Sequence, residues 1–99
     1  MSMDRLQREH ARLIILRSLV EEPSSTSNSA TIQDLLQVYG INRDRDWVHQ
    51  EIAHLAGLGA VTVMPAGERV RIVQLTQRGL DHVERRITLE GVRRPSLEN

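Results

Sequence analysis

Cysteine is absent from the 99 residues, which excludes disulfides, thiolate catalysis and cysteine-ligated metals. Phenylalanine is absent too, and Trp47 and Tyr39 are the one tryptophan and the one tyrosine. A core must then be built from Leu, Ile and Val, with little aromatic surface for stacking bases or sugars. Lysine is also missing: all 13 basic residues are arginine, and 13 acids balance them to a formal net charge of zero. Bulk charge therefore announces no polyanionic partner, and any nucleic-acid contact depends on where the arginines are placed. No apolar run approaches the roughly 20 residues of a membrane span. Arg12 and Arg17 bracket "LIIL", which leaves no signal-peptide core. These absences predict a soluble, cytoplasmic, single-domain protein with a modest aliphatic core.

What is present is helical periodicity. A helix is predicted from about Asp4 to Glu21, where Gly and Pro are missing and Leu6, Leu13, Leu16 and Val20 recur at helical spacing, with Leu19 widening the stripe. Ala11, Ile14 and Ile15 fall largely on the other side. A helix that is apolar on more than one side has more than one partner. Either a later helix of the same chain covers the second side, or Ala11, Ile14, Ile15 and Leu19 form a homodimer contact; the arrangement expected is a homodimer through the first and last helices.

"PSSTSNS" then reads as a polar loop whose last residues, Asn28 to Thr31, offer caps for a second helix. That helix runs to Tyr39, buries Ile32, Leu35 and Leu36, with Tyr39 as a further candidate for the core, and stops at Gly40. Asp44 caps a third helix, Arg45 to about Leu58, with Val48, Ile52 and Leu55 on its buried face and Trp47 off that stripe. Two helices joined by the short "GINRD" form a helix-turn-helix. "AVTVMP" and "RVRIVQL", linked by "AGE", predict a two-stranded hairpin. Thr76 caps a last helix carrying Leu80, Val83 and Ile87, and residues 91–99 form a tail that is loose or docked across the surface. The domain thus covers 1–90. The fold class is mainly α with a small β-hairpin, in the order helix, helix, helix, hairpin, helix.

That order is similar to a winged helix-turn-helix domain. "IAHLAGLGAV" (52–61) looks like a third helix entering the first wing strand, and "VQLTQRGLDHV" (73–83) resembles the second wing strand entering the next helix of MarR-like and ArsR-like regulators. "REHARLIILRSL", "EIAHLAGLGAV", "LTQRGLDH" and "GVRRPS" together resemble a family of small proteins of Mu-like phages and prophages. The resemblance implies a phage protein acting inside a bacterial host, and a third helix that enters the major groove while the wing grips the backbone.

On that geometry Gln50 and His49 approach bases, and Arg43, Arg45, Arg69 and Arg71 hold phosphates of double-stranded DNA. Asp46 and Glu68 oppose them. The competing reading is a protein-interaction adaptor that presents the same helix, with Trp47 as anchor, to a phage or host protein. Asp44 and Asp46 also have a purely structural use at a helix N-terminus. Four histidines without cysteine, none at i, i+4 spacing, predict no metal site. The serines of the loop lack a base, which predicts no enzyme, and nothing calls for a cofactor. Arg85, Arg86, Arg93 and Arg94 make the C-terminal end basic, either for binding or for solvation.

Overall fold

The first helix organises the molecule. In the computed structural model, which describes residues 2–96, α1 spans Met3–Glu21, and Ser2 caps it by accepting the Arg5 amide hydrogen bond. Ala11, Leu13, Ile14, Ile15, Leu16 and Leu19 are all buried. Burial on so wide an arc follows from the elements that surround α1. A sheet and three further helices pack against it: α2 (Ser29–Val38), α3 (Arg45–Gly57) and α4 (Gln77–Val83). Ala11, Ile14, Ile15 and Leu19, one option for a dimer contact, are at most 4% exposed and lie in this core. The chain itself covers the second side of the helix, and these four pack into its own core rather than standing out as a contact face. Leu6 and Val20, expected to face inward, stand 43% and 40% exposed.

The polar loop after α1 contains more structure than its composition announced. A 3-10 turn, Pro23–Ser25, holds Ser24 and Ser25 at left-handed φ values of 57° and 53°. It leads into a short strand, β1 (Thr26–Asn28), antiparallel to the distant strand β3 (Arg71–Leu75). With β2 (Val61–Pro65) on the other side of β3, the predicted hairpin becomes the larger part of a three-stranded sheet ordered β1-β3-β2. Ser27 and Val63 both face Val73, which is fully buried. Thr-Ser-Asn has no apolar alternation to mark a strand. The open edge of β3, distant in sequence, creates it.

Helix boundaries follow local chemistry. Asn28 caps α2 by accepting from the Thr31 amide at 2.9 Å. At the other end Gly40, with φ +82°, donates to the Gln37 carbonyl, and Ile41 donates to that of Leu36. This paired pattern closes a helix on a left-handed residue and turns the chain sharply into the next one. Asp44 caps α3, accepting from Trp47 N at 2.9 Å. Helix α4 begins at its Thr76 cap but ends at Val83, short of Ile87, because Arg85 adopts a left-handed φ of 68°.

The chain beyond α4 is docked. Leu89 N donates to Nδ1 of the fully buried His82, whose Nε2 bonds the Arg93 carbonyl at 2.9 Å. His82 therefore carries its proton on Nε2, and both ring nitrogens are satisfied. Arg12 Nη1 donates to the Gly91 carbonyl at 2.7 Å and Arg93 N to that of Glu9, while Val92 is 5% exposed. Packing continues past residue 90, where the tail was expected to begin.

Candidate functional site

Helix α3 turns Val48, Ile52 and Leu55 into the core and leaves Asp46, Gln50, Ala53 and Gly57 exposed. The outward face is the one its periodicity predicts. Asp46 and the exposed His54 are the titratable groups on that side, so the face itself is small and nearly uncharged. Positive charge comes instead from its flanks.

At the N-terminal half of α3 the structure brings together Arg45, His49, Arg69 and Arg71. Strand periodicity places Arg71 on the same side of β3 as the buried Val73. Its backbone N–H donates to Ser29 Oγ at 2.9 Å, and that hydroxyl lies 2.9 Å from His49 Nε2. Ser29 Oγ thus accepts from the amide and bridges it to the His49 ring. Partial burial, then the guanidiniums of Arg71 and Arg45, keep the His49 pKa below its ordinary value; Asp46 opposes them and Arg69 adds to them. Arg45 spans the gap between α2 and the β2–β3 hairpin, donating from Nε to Gln33 Oε1 and from Nη1 to the Arg69 carbonyl, both at 2.7 Å. No hydrogen bond or ion pair among the described residues engages the exposed guanidiniums of Arg69 and Arg71.

Arg43 does not join this group. Its guanidinium turns toward α1, donating to Gln7 Oε1 at 2.9 Å and Asp4 Oδ1 at 3.2 Å. It also lies 5.0 Å from the Trp47 ring centroid. Gln50 is exposed, and its side-chain oxygen accepts from Arg8 at 3.4 Å.

Trp47, expected off the core stripe, is 6% exposed. Arg8 and Arg43 both stack on its ring within 5.1 Å of the centroid, so the indole is sealed against α1. Beside it Glu51 is 1% exposed; Oε1 accepts from Arg12 Nε at 2.8 Å and Oε2 from Arg8 Nη1. Ser29, Gln33 and Glu51 position the site and were not singled out from the sequence. Glu51 carried a readable signal: it falls between Val48 and Leu55 on the apolar stripe, and Arg8 and Arg12 repeat at i, i+4 on α1.

The other histidines are dispersed. Among the described residues, no three His, Cys, Asp or Glu side chains gather as a metal site would require. Among the described residues, no helix is long and apolar enough to cross a membrane.

Comparison with known proteins gives one informative match. Over 90 residues, covering 88% of each chain, the sequence is 42% identical to the uncharacterized protein gp26 of Escherichia phage Mu. No family model and no solved structure matches. The kinship with Mu-like phage proteins expected from four scattered phrases extends along most of the chain, and the chain belongs to the family of phage Mu gp26.

Proposed function

We propose that this phage protein is a winged helix-turn-helix protein that binds double-stranded DNA and acts in transcriptional regulation. In this reading α2 and α3 are the helix-turn-helix and β2–β3 the wing. The observation that carries it is the convergence of Arg45, Arg69 and Arg71 around His49, at the edge of an open face of α3. Arg69 and Arg71 hold phosphates along one edge of a groove into which α3 sets Gln50, whose amide suits the donor and acceptor edge of adenine. His49 Nδ1 faces no hydrogen-bond partner within the described residues and is open to a base edge. Arg45 braces the wing against the helices and sets the spacing of the other two. The protein binds rather than catalyses: Ser29 serves the His49 bridge and Asn28 the α2 cap.

A protein adaptor is the second reading, favoured by the uncharged Gln50, Ala53 and Gly57 and the acidic Asp46 along the outer face of α3. Fluorescence anisotropy with labelled duplex fragments of a Mu-like prophage separates the two. DNA binding requires salt-sensitive association that discriminates among fragments. No association even at low salt would leave the adaptor reading.

A further inference from the structure

Four large apolar side chains stand exposed at one corner of the molecule, at the start of α1 and the end of α2. Met3 and Val38 are each 81% exposed, Tyr39 57% and Leu6 43%. Two adjoining grooves, ≈ 720 and ≈ 420 Å³, run along α1 beside α2 and share His10 and Tyr39 as a common wall. Met3, Leu6 and Ile41 line the first groove, Ile14 and Leu35 the second. Val38 follows Leu35 at i+3 on the α2 surface. An apolar strip of this extent, rimmed by charge, marks an interaction surface.

The rim charges identify what it fits. Arg93 and Arg17 line the grooves, and Glu21 and Glu22 line the end of the second. None of the four enters an ion pair among the described residues, whereas Arg5, Arg8, Arg12, Arg43 and Arg86 all do. We propose that a second copy of this chain occupies the groove, in a two-fold dimer that crosses the α1 helices antiparallel. A two-fold interface requires one patch to carry both a feature and its complement. This patch has apolar ridges in Met3, Leu6 and Tyr39, an apolar floor, two unpaired cations and two unpaired carboxylates. An antiparallel crossing carries Glu21 and Glu22 of one copy, at the end of α1, toward Arg93 of the other, whose backbone bonds the Glu9 carbonyl.

The common wall suits burial. Tyr39 meets His10 edge-on, with centroids 6.5 Å apart. Desolvation, then Arg93 and Arg17, hold the His10 pKa below its ordinary value, so the imidazole enters the interface uncharged near neutral pH. A standard interface covers about 800 Å² per partner. Against the 6000 Å² surface of this chain, that is roughly an eighth. The grooves contain no residue of α3 or the sheet, so the dimer stands or falls independently of DNA binding.

Sedimentation equilibrium of the full chain tests this. The expected result is a reversible monomer–dimer equilibrium, weakened about tenfold or more by Leu6→Asp. Two charge-swapped chains are decisive, one with Arg17→Glu and Arg93→Glu, the other with Glu21→Arg and Glu22→Arg. Each alone should be monomeric, with the helical circular dichroism of the parent, and an equimolar mixture should form the heterodimer. A parent that stays monomeric at every concentration overturns the proposal. So does a dimer indifferent to Leu6→Asp and to both charge swaps, or a pair of folded, swapped chains that fail to associate when mixed.

Discussion

Glu51→Ala removes a carboxylate that is 1% exposed and leaves two guanidiniums behind. Arg12, whose side chain is 12% exposed, loses its Nε partner at 2.8 Å, and Arg8 loses one of its two acids. Deleting one member of a buried ion pair costs about 3–5 kcal/mol, because the remaining charge stays desolvated without a counterion. Two contacts soften the loss here: Arg12 keeps the Gly91 carbonyl at 2.7 Å, and Arg8 keeps Asp4 at 2.9 Å. The cost should fall at the lower end, about 3 kcal/mol. That is a large part of the roughly 5–15 kcal/mol that holds a domain together, and corresponds to a Tm lower by about 12–24 °C. Glu51→Gln keeps the shape and one acceptor, and should cost about half as much. Urea unfolding followed by circular dichroism, with Trp47 fluorescence as a second probe, measures both variants. If both unfold within about 0.5 kcal/mol of the parent, the ion cluster is not what fastens α3 to α1.

Gly79→Ala places a Cβ 2.3 Å from the Ala60 carbonyl oxygen and 2.7 Å from Leu75 Cδ1. With backbone as the obstacle the helix must move, and thermal melting should show a loss of about 3 kcal/mol; an unchanged Tm would mean that α4 is not seated tightly on β2. In the DNA reading, Arg69→Ala and Arg71→Ala should each lower the slope of log affinity against log salt by about 0.9, while Arg43→Ala leaves that slope unchanged. Equal slopes for all three would remove the wing from the interface. His10, His49 and His54 all have folded pKa values held below the ordinary 6.5, with burial as the leading cause. As pH falls below 6.5, the unfolded chain takes up protons before the folded one, so the stabilisation present above that pH is lost toward the lower folded values. Melting between about pH 7 and pH 5 should show Tm falling on acidification, and His→Gln at all three positions should flatten the profile.

The helices were legible because their signals are local. Asp44, Thr76 and Gly40 cap or stop helices where sequence chemistry places them, and the α3 stripe of Val48, Ile52 and Leu55 faces the core. The features that sequence reasoning missed depend on distant partners. β1 exists because β3 has an open edge, and nothing in Thr26–Asn28 encodes that edge. For Ala11, Ile14, Ile15 and Leu19, periodicity shows that a second face needs covering but cannot say whether the cover comes from the same chain. Trp47 fell off the apolar stripe on a helical wheel and is nonetheless sealed, because Arg8 and Arg43 close over its ring. An aromatic beside a core stripe is buried when cations from another segment can lie on its face, and a wheel of one helix contains no term for that.

The zero net charge conceals a division of labour among the arginines. Arg8 and Arg12 bind Glu51, Arg43 binds Gln7 and Asp4, Arg45 binds Gln33 and the Arg69 carbonyl, Arg78 binds the Leu58 carbonyl, and Arg86 binds Asp81 and Glu84. These side chains fasten the helices, wing and chain beyond α4 to one another. Planar guanidinium groups suit that work, since each can serve two acceptors in different directions. Counting charge therefore overstates what is available outside. Of the arginines left over, Arg69 and Arg71 stand together at the wing and Arg17 and Arg93 together on the α1–α2 groove. These are separate surfaces with different surroundings. At the wing, the neighbours are a neutral imidazole and an open helix face, which suits an extended polyanion. In the groove, the neighbours are apolar side chains and unpaired carboxylates, which suits a folded surface bearing both signs. A polyanion would be repelled there by Glu21 and Glu22, and would gain nothing from Met3, Leu6 and Tyr39. In the two proposals, the placement of six or so spare charges, rather than their sum, is what separates a DNA-facing side of this molecule from a self-associating one.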